Sequence, residues 1–185
     1  MLFITSEILW ITLWISPIPA GQAGLSGTWS FLSSRKEEII MAELNAKAEM
    51  FKKFVDKKDP NAFSVTTVED KYHGAVFSSR MKVEDTPVPF LIILDDSAFG
   101  MIRVLLAPKA EKKDNKQALL ELLNKYNSRY KSFKFYVDSQ DSLIMDLCLV
   151  FRDQNVDGNM IYGLLQMIDE ELTGIYKEIM QTIWA

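Results

Sequence analysis

Chemically reactive side chains are scarce in this sequence. It holds one histidine and one cysteine among 185 residues, so a zinc site, usually built from several nitrogen and sulfur ligands, has too few donors. The lone Cys148 excludes an intrachain disulfide, and nothing in the cysteine usage points to an oxidising compartment. Basic charge is not in excess either. The formal net charge is -4, which argues against a nucleic-acid partner, whose phosphates call for a basic surface. Lysines gather twice, in residues 52–58 and 109–116, but acidic residues interleave both groups, the pattern of a solvated face. The eight glycines are scattered and form no phosphate-cradling loop. No cofactor and no metal are expected.

Short motifs that could carry chemistry are incomplete. Asp153, Asn155, Asp157 and Gly158 open like a calcium loop, with oxygen donors at alternate positions before a turn glycine. The closing position is Leu164, where a bidentate glutamate belongs, so capping of the last helix by Asn155 or Asp157 is the expected role. Ser128 and Lys131 have the spacing of some acyl-transfer nucleophiles without the companion motifs. The adjacent acids Glu69 and Asp70, Asp95 and Asp96, and Glu170 and Glu171 point apart on a strand or helix. His73, beside Gly74, reads as a solvated turn residue, and Cys148, inside an apolar run, as a small buried hydrophobe. The expectation is a protein that is not an enzyme.

What is present is a globular composition, 48% apolar, at a length that suits one domain. Residues 1–40 stand apart, with Trp10, Trp14 and Trp29 and no basic residue before Arg35. As a secretory signal this leader lacks a positive start, and as a membrane anchor it is interrupted by Glu7, Pro17 and Pro19. Lys36-Glu37-Glu38 can be encoded by an all-purine run resembling a ribosome-binding site, which predicts that translation begins at Met41. An exported or membrane-tethered form is the alternative. The expected organisation is a leader over 1–40 and a single domain over 41–185, cytoplasmic, with a membrane role disfavoured.

From Met41 onward the periodicity is regular. Leu44, Ala48, Phe51, Phe54 and Val55 line one face of a helix with lysines opposite. Residues 63–68 read as a strand and His73-Gly74 as a turn, after which Phe77, Met81 and Val83 alternate with Arg80, Lys82 and Glu84. Thr86-Pro87 predicts the next turn. Residues 88–94 are apolar enough for a strand covered on both faces, and residues 101–106 for its returning neighbour. Leu119, Leu122, Leu123, Tyr126 and Tyr130 recur at helical spacing, with Asp114 and Gln117 as a capping box. Phe133, Phe135 and Val137 then alternate with Lys134 and Tyr136, the run 138–142 turns, and residues 143–151 return.

One part of this stretch resembles a known family. Leu122-Leu123-Asn124-Lys125-Tyr126-Asn127, followed by Phe133-Lys134-Phe135-Tyr136-Val137-Asp138, a short turn and an apolar strand, is similar to the YbjN family, bacterial proteins named for sensory transduction regulation. The likeness spans residues 42–184. It implies a fold similar to type III secretion chaperones and no established chemistry. Asn124 and Asn127 carry most of the match, and their residue type near a helix end predicts bonds to nearby backbone. Together these readings predict an α+β domain, an antiparallel sheet of five to six strands with helices packed on it, in the order α-β-β-β-(β)-α-β-β-α.

The final helix has more apolar surface than one sheet face requires. Ile161, Leu165, Ile168, Leu172, Ile175, Ile179 and Ile183 make a continuous stripe. Met160, Leu164 and Met167 widen its early half on one side, and Tyr176, Met180 and Trp184 widen its later half on the other. These six residues are the candidate partner-binding surface, for another protein or a second copy. The expected function is a non-catalytic regulator or chaperone-like adaptor. The competing reading, a hydrolase or transferase, requires carboxylates that only the fold would bring together.

Overall fold

The computed structural model describes residues 43–184. The leader and the proposed start at Met41 lie outside the described residues. Helix α1 (Ala46–Asp56) is followed by a four-strand meander, β1 (Ser64–Val68), β2 (Gly74–Val83), β3 (Thr86–Leu94) and β4 (Phe99–Ala107). Helix α2 (Lys116–Arg129), strands β5 (Phe133–Val137) and β6 (Leu143–Val150) and helix α3 (Gly158–Trp184) complete the chain. The six strands form one sheet in the order β1-β2-β3-β4-β6-β5, antiparallel at every pairing. This is the α+β architecture and element order that the sequence pattern implies.

All three helices contribute to a single core on one face of the sheet. Along β3 the side chains alternate, with Val88, Phe90, Ile92 and Leu94 buried and Leu91 and Ile93 only half-buried. The expectation that β3 is covered on both faces is therefore corrected: no described helix lies over the second face, and a period of two sorts its residues accordingly. The core-facing set continues through Phe77, Ile102, Val104, Met145, Leu147, Phe133 and Phe135. Phe51 of α1 meets Phe77 edge-on at 5.0 Å, and Phe54 meets Tyr162 of α3 at 5.6 Å. Helix α3 lies against β2 and both other helices, and its stripe of Ile161, Ile168, Leu172, Ile175, Ile179 and Ile183 is buried, with Leu165 only partly so.

Three local expectations are revised. The turn between β2 and β3 falls on Glu84-Asp85, with Val83 paired to Thr86, so Thr86 and Pro87 already belong to β3. Glu84 takes φ 53, the left-handed conformation that opens a two-residue hairpin. At α2 the capping box does not form. Asn115 is the N-cap and makes no side-chain cap bond; its amide instead donates to Ala110 O and Ile183 O at 2.9 and 3.1 Å, spanning to the end of α3. Cys148 is exposed, because β6 places it with Asp146 and Val150 on the face away from the helices.

Other turns behave as their residues dictate. Asp138 Oδ1 accepts from the N–H groups of Gln140 and Ser142, both at 2.8 Å, an Asx arrangement that sets the hairpin between β5 and β6. Asp157 Oδ1 accepts from Asn159 N–H at 2.9 Å and Met160 N–H at 3.3 Å, capping α3. Asp153 Oδ1 accepts from Asn155 N–H at 2.8 Å, so the acids of the calcium-like run are engaged with main chain.

Candidate functional site

Of the six residues singled out on α3, the structure exposes two and half-buries three. Met160 is 41% exposed and Trp184 57%, whereas Leu164, Met167 and Met180 pack partly against the core. Tyr176 is corrected: at 6% exposure it belongs to the core, in the same cluster as its helix neighbours Ile175 and Ile179. Met160, Leu164 and Met167 follow one another at helical spacing and share one side of α3. Gly163 lies among them with nothing within 4 Å of where a Cβ would stand, so bare main chain adjoins the strip. At the other end the Lys112 ammonium sits 4.3 Å from the centre of the Trp184 ring and donates to Ile183 O at 3.2 Å. A cation there also suits the negative end of the helix dipole.

The N-terminus of α1 carries an arrangement that the sequence pattern did not reveal. Asn45 Oδ1 caps the helix by accepting from Ala48 N–H at 2.9 Å, while its Nδ2 donates to His73 O and Leu94 O at 2.8 and 2.9 Å. Lys47, which the sequence reading did not single out, is wholly buried. Its ammonium donates to Ser97 O at 2.6 Å and Phe99 O at 3.1 Å and lies 4.6 Å from the centre of the Phe151 ring. Burial pushes its pKa below the ordinary lysine value, against the opposing pull of Asp95 and Asp96. His73 pairs with Asp96 at 2.6 Å, so one helix end ties the β1–β2 and β3–β4 turns together. Lys47 stands one turn before Phe51 on the buried arc; only its charge argued for solvent.

On the sheet face away from the helices, Arg103 of β4 and Asp146 of β6 are cross-strand partners joined by two bonds of 2.8 Å. Tyr136 OH donates to the same carboxylate at 2.9 Å. The bond to Asp146 raises the Arg103 pKa, and burial, with Asp146 adding to it, pushes Tyr136 up to about 12. This pairing depends on β4 lying beside β6, which no local pattern announces. Phe99 and Val150, paired across the same two strands, are 56% and 71% exposed.

The side chains noted for chemistry are engaged in structure. Ser128 Oγ donates to Lys125 O at 2.8 Å, within its own helix. His73 is an exposed turn residue with φ 50, as its neighbouring glycine suggests. Asn127 bonds to backbone as expected, although to the next strand: its amide meets both main-chain groups of Phe135, at 2.8 and 2.9 Å. Asn124 is exposed. Among the described residues, no group of three or more His, Cys, Asp or Glu is placed to hold a metal ion, and no helix is long and apolar enough to cross a membrane.

Fold and site together define a one-sided α+β sheet protein in which polar side chains brace turns and helix ends while apolar groups reach the surface along its last helix. The model of the YbjN family, described as a putative bacterial sensory transduction regulator, matches residues 71–180, and the chain belongs to that family. The match runs from the β1–β2 turn nearly to the end of α3, and so includes the Asn127 and Phe135 region that carried the resemblance in sequence. A search of curated proteins finds no match.

Proposed function

We propose that this chain is a non-catalytic, cytoplasmic protein-binding module, a regulator or chaperone-like adaptor, that receives a protein partner along the flank of α3. The observation that carries this reading is the strip Met160, Leu164 and Met167. Its apolar groups remain partly open to solvent beside a core stripe that is buried at every position but Leu165. Apolar surface beyond what the core consumes is what a docking partner covers. Methionine suits the task because its unbranched, polarisable side chain adapts to different shapes. The family's description as regulators agrees with a role in which binding is the activity.

The test uses the full chain as bait in extract from its native cell, beside the variants Met160→Glu and Met167→Glu. A partner retained by the wild type should be lost by both variants while their thermal melts stay close to that of the parent. Retention of the same proteins by all three would remove the flank of α3 as the docking site.

A further inference from the structure

Two thioethers stand open beside the link that carries the chain from β6 into α3. Met50 of α1 is 38% exposed and Met160 of α3 41%, whereas Met145 is wholly buried and Met81, Met101, Met167 and Met180 are half-covered. Met50 also holds the link. Its Sδ accepts from Val156 N–H at 3.1 Å, and Phe54, one turn further along α1, packs against Gly158 where α3 begins.

That bond carries more than its kind suggests. Asp153 accepts from Asn155 N–H within the link itself, so among the described residues the Met50 sulfur is the only hydrogen-bonding partner that residues 152–156 find on another element. Val156 is buried, at 8% exposure, and its N–H has little water to turn to. A thioether is a weak acceptor. It is also one that an oxidant can change.

We propose that Met50 is a redox-sensitive latch on the start of α3, opened when a hydroperoxide converts its thioether to the sulfoxide. In that step the sulfur attacks one peroxide oxygen and the O–O bond breaks as an S–O bond forms. The other oxygen leaves with the proton of the first, as water or an alcohol; sulfur gives up two electrons and the peroxide takes them. Neither sulfoxide epimer keeps the bond to Val156. Oxygen added on the lone pair that faces Val156 would stand between sulfur and nitrogen, where 3.1 Å leaves no room for it. Oxygen added on the other lone pair makes the sulfur the positive end of an S–O dipole, facing a donor. The link then loses its tie to α1 just before the first turn of α3, which carries Met160. Met160, similarly open, becomes polar under the same oxidant, so both changes meet at the start of the strip. That the latch governs docking rests on the docking reading; the latch itself does not. Enzymatic reduction of the sulfoxide resets it.

Hydrogen peroxide added to the full chain tests this without any partner, so failure of the docking site would leave the outcome standing. Peptide mass spectrometry should find Met50 and Met160 oxidised before Met81, Met101 and Met145. Val156 amide exchange, followed by NMR, should quicken by about tenfold or more in step with Met50 oxidation. Methionine sulfoxide reductases of both epimer specificities should restore it. Two variants separate the sulfurs. Met160→Leu should keep the whole Val156 response. Met50→Leu, close in volume, should exchange fast at Val156 before any peroxide is added and change no further with it. A Met50 no more reactive than Met145 overturns the proposal, as does Val156 exchange that ignores Met50 oxidation or a Met50→Leu protein that responds as the parent does.

Discussion

Three glycines in α3 occupy such different surroundings that one substitution should act on them with opposite sign. Gly158, the first residue of the helix, is buried against α1: an added Cβ would stand 2.2 Å from Phe54 Cδ1 and 2.3 Å from its Cγ. That ring cannot simply swing away, since it is stacked with Phe51 at 6.4 Å and meets Tyr162 edge-on at 5.6 Å. Gly158→Ala is therefore an overpacking change costing about 1–3 kcal/mol. Gly163 and Gly174 have nothing within 4 Å of the same position. There alanine adds only its helix preference, about 1 kcal/mol each in a helix interior. The pair together should raise the melting temperature by about 4–8 °C in a domain of this size. Urea titration provides the assay, with stability read from the midpoint at unchanged slope. A Gly158→Ala protein as stable as the parent, or loss of stability at Gly163→Ala or Gly174→Ala, would refute the packing argument.

Two further outcomes follow from hydrogen bonds between α2 and its neighbours. Asn127→Ala should cost about 1–3 kcal/mol, since both main-chain groups of Phe135 lose their partner. Asn127→Asp, keeping the acceptor alone, should fall between; Phe135 amide exchange by NMR reports it, and unchanged protection in the alanine variant contradicts it. The second concerns pH. Tyr126 OH donates to the Glu178 carboxylate, which also accepts from Lys125 at 2.9 Å. Those two bonds, Tyr126 first, hold the Glu178 pKa below the ordinary value, while burial, with Glu178 adding to it, raises that of Tyr126. The Glu178 contribution is present above its unfolded pKa and disappears as pH falls through the folded one. The Tyr126 contribution is present below about pH 10, the unfolded tyrosine value, and disappears as pH rises through the raised folded one. Tyr126→Phe should flatten both limbs of the stability profile measured by thermal melts; limbs identical to the parent's would disprove the link.

Local pattern was enough for elements whose neighbours in space are also neighbours in sequence. The alternation Phe133, Phe135, Val137 and the turn set by Asp138 fix the β5–β6 hairpin without help from elsewhere. Hydrophobic stripes likewise located α1, α2 and α3. Long-range pairing was the blind spot. Residues 88–94 are apolar on both sides, so composition alone could not tell that the described helices cover one face only. Cys148 looked buried for the same reason. Lys47 went unnoticed because Ser97 and Phe99, about fifty residues away, supply the carbonyls that let an ammonium sit inside. On α3 the pattern found a stripe too wide for one sheet face but could not divide it. Packing in the folded chain takes Tyr176 into the core and leaves Met160 and Trp184 outside.

Because α3 follows every strand in sequence yet packs against β2 and both other helices, synthesis has an unavoidable interval. The meander of β1 to β4 and the β5–β6 hairpin are made before the 27 residues of α3, so the part of the core supplied by Ile161, Ile168, Leu172 and Ile179 is missing until they follow. During that interval the nascent chain is an oily ribbon awaiting its lid. A stop codon just before Gly158 would release every strand and almost no soluble product.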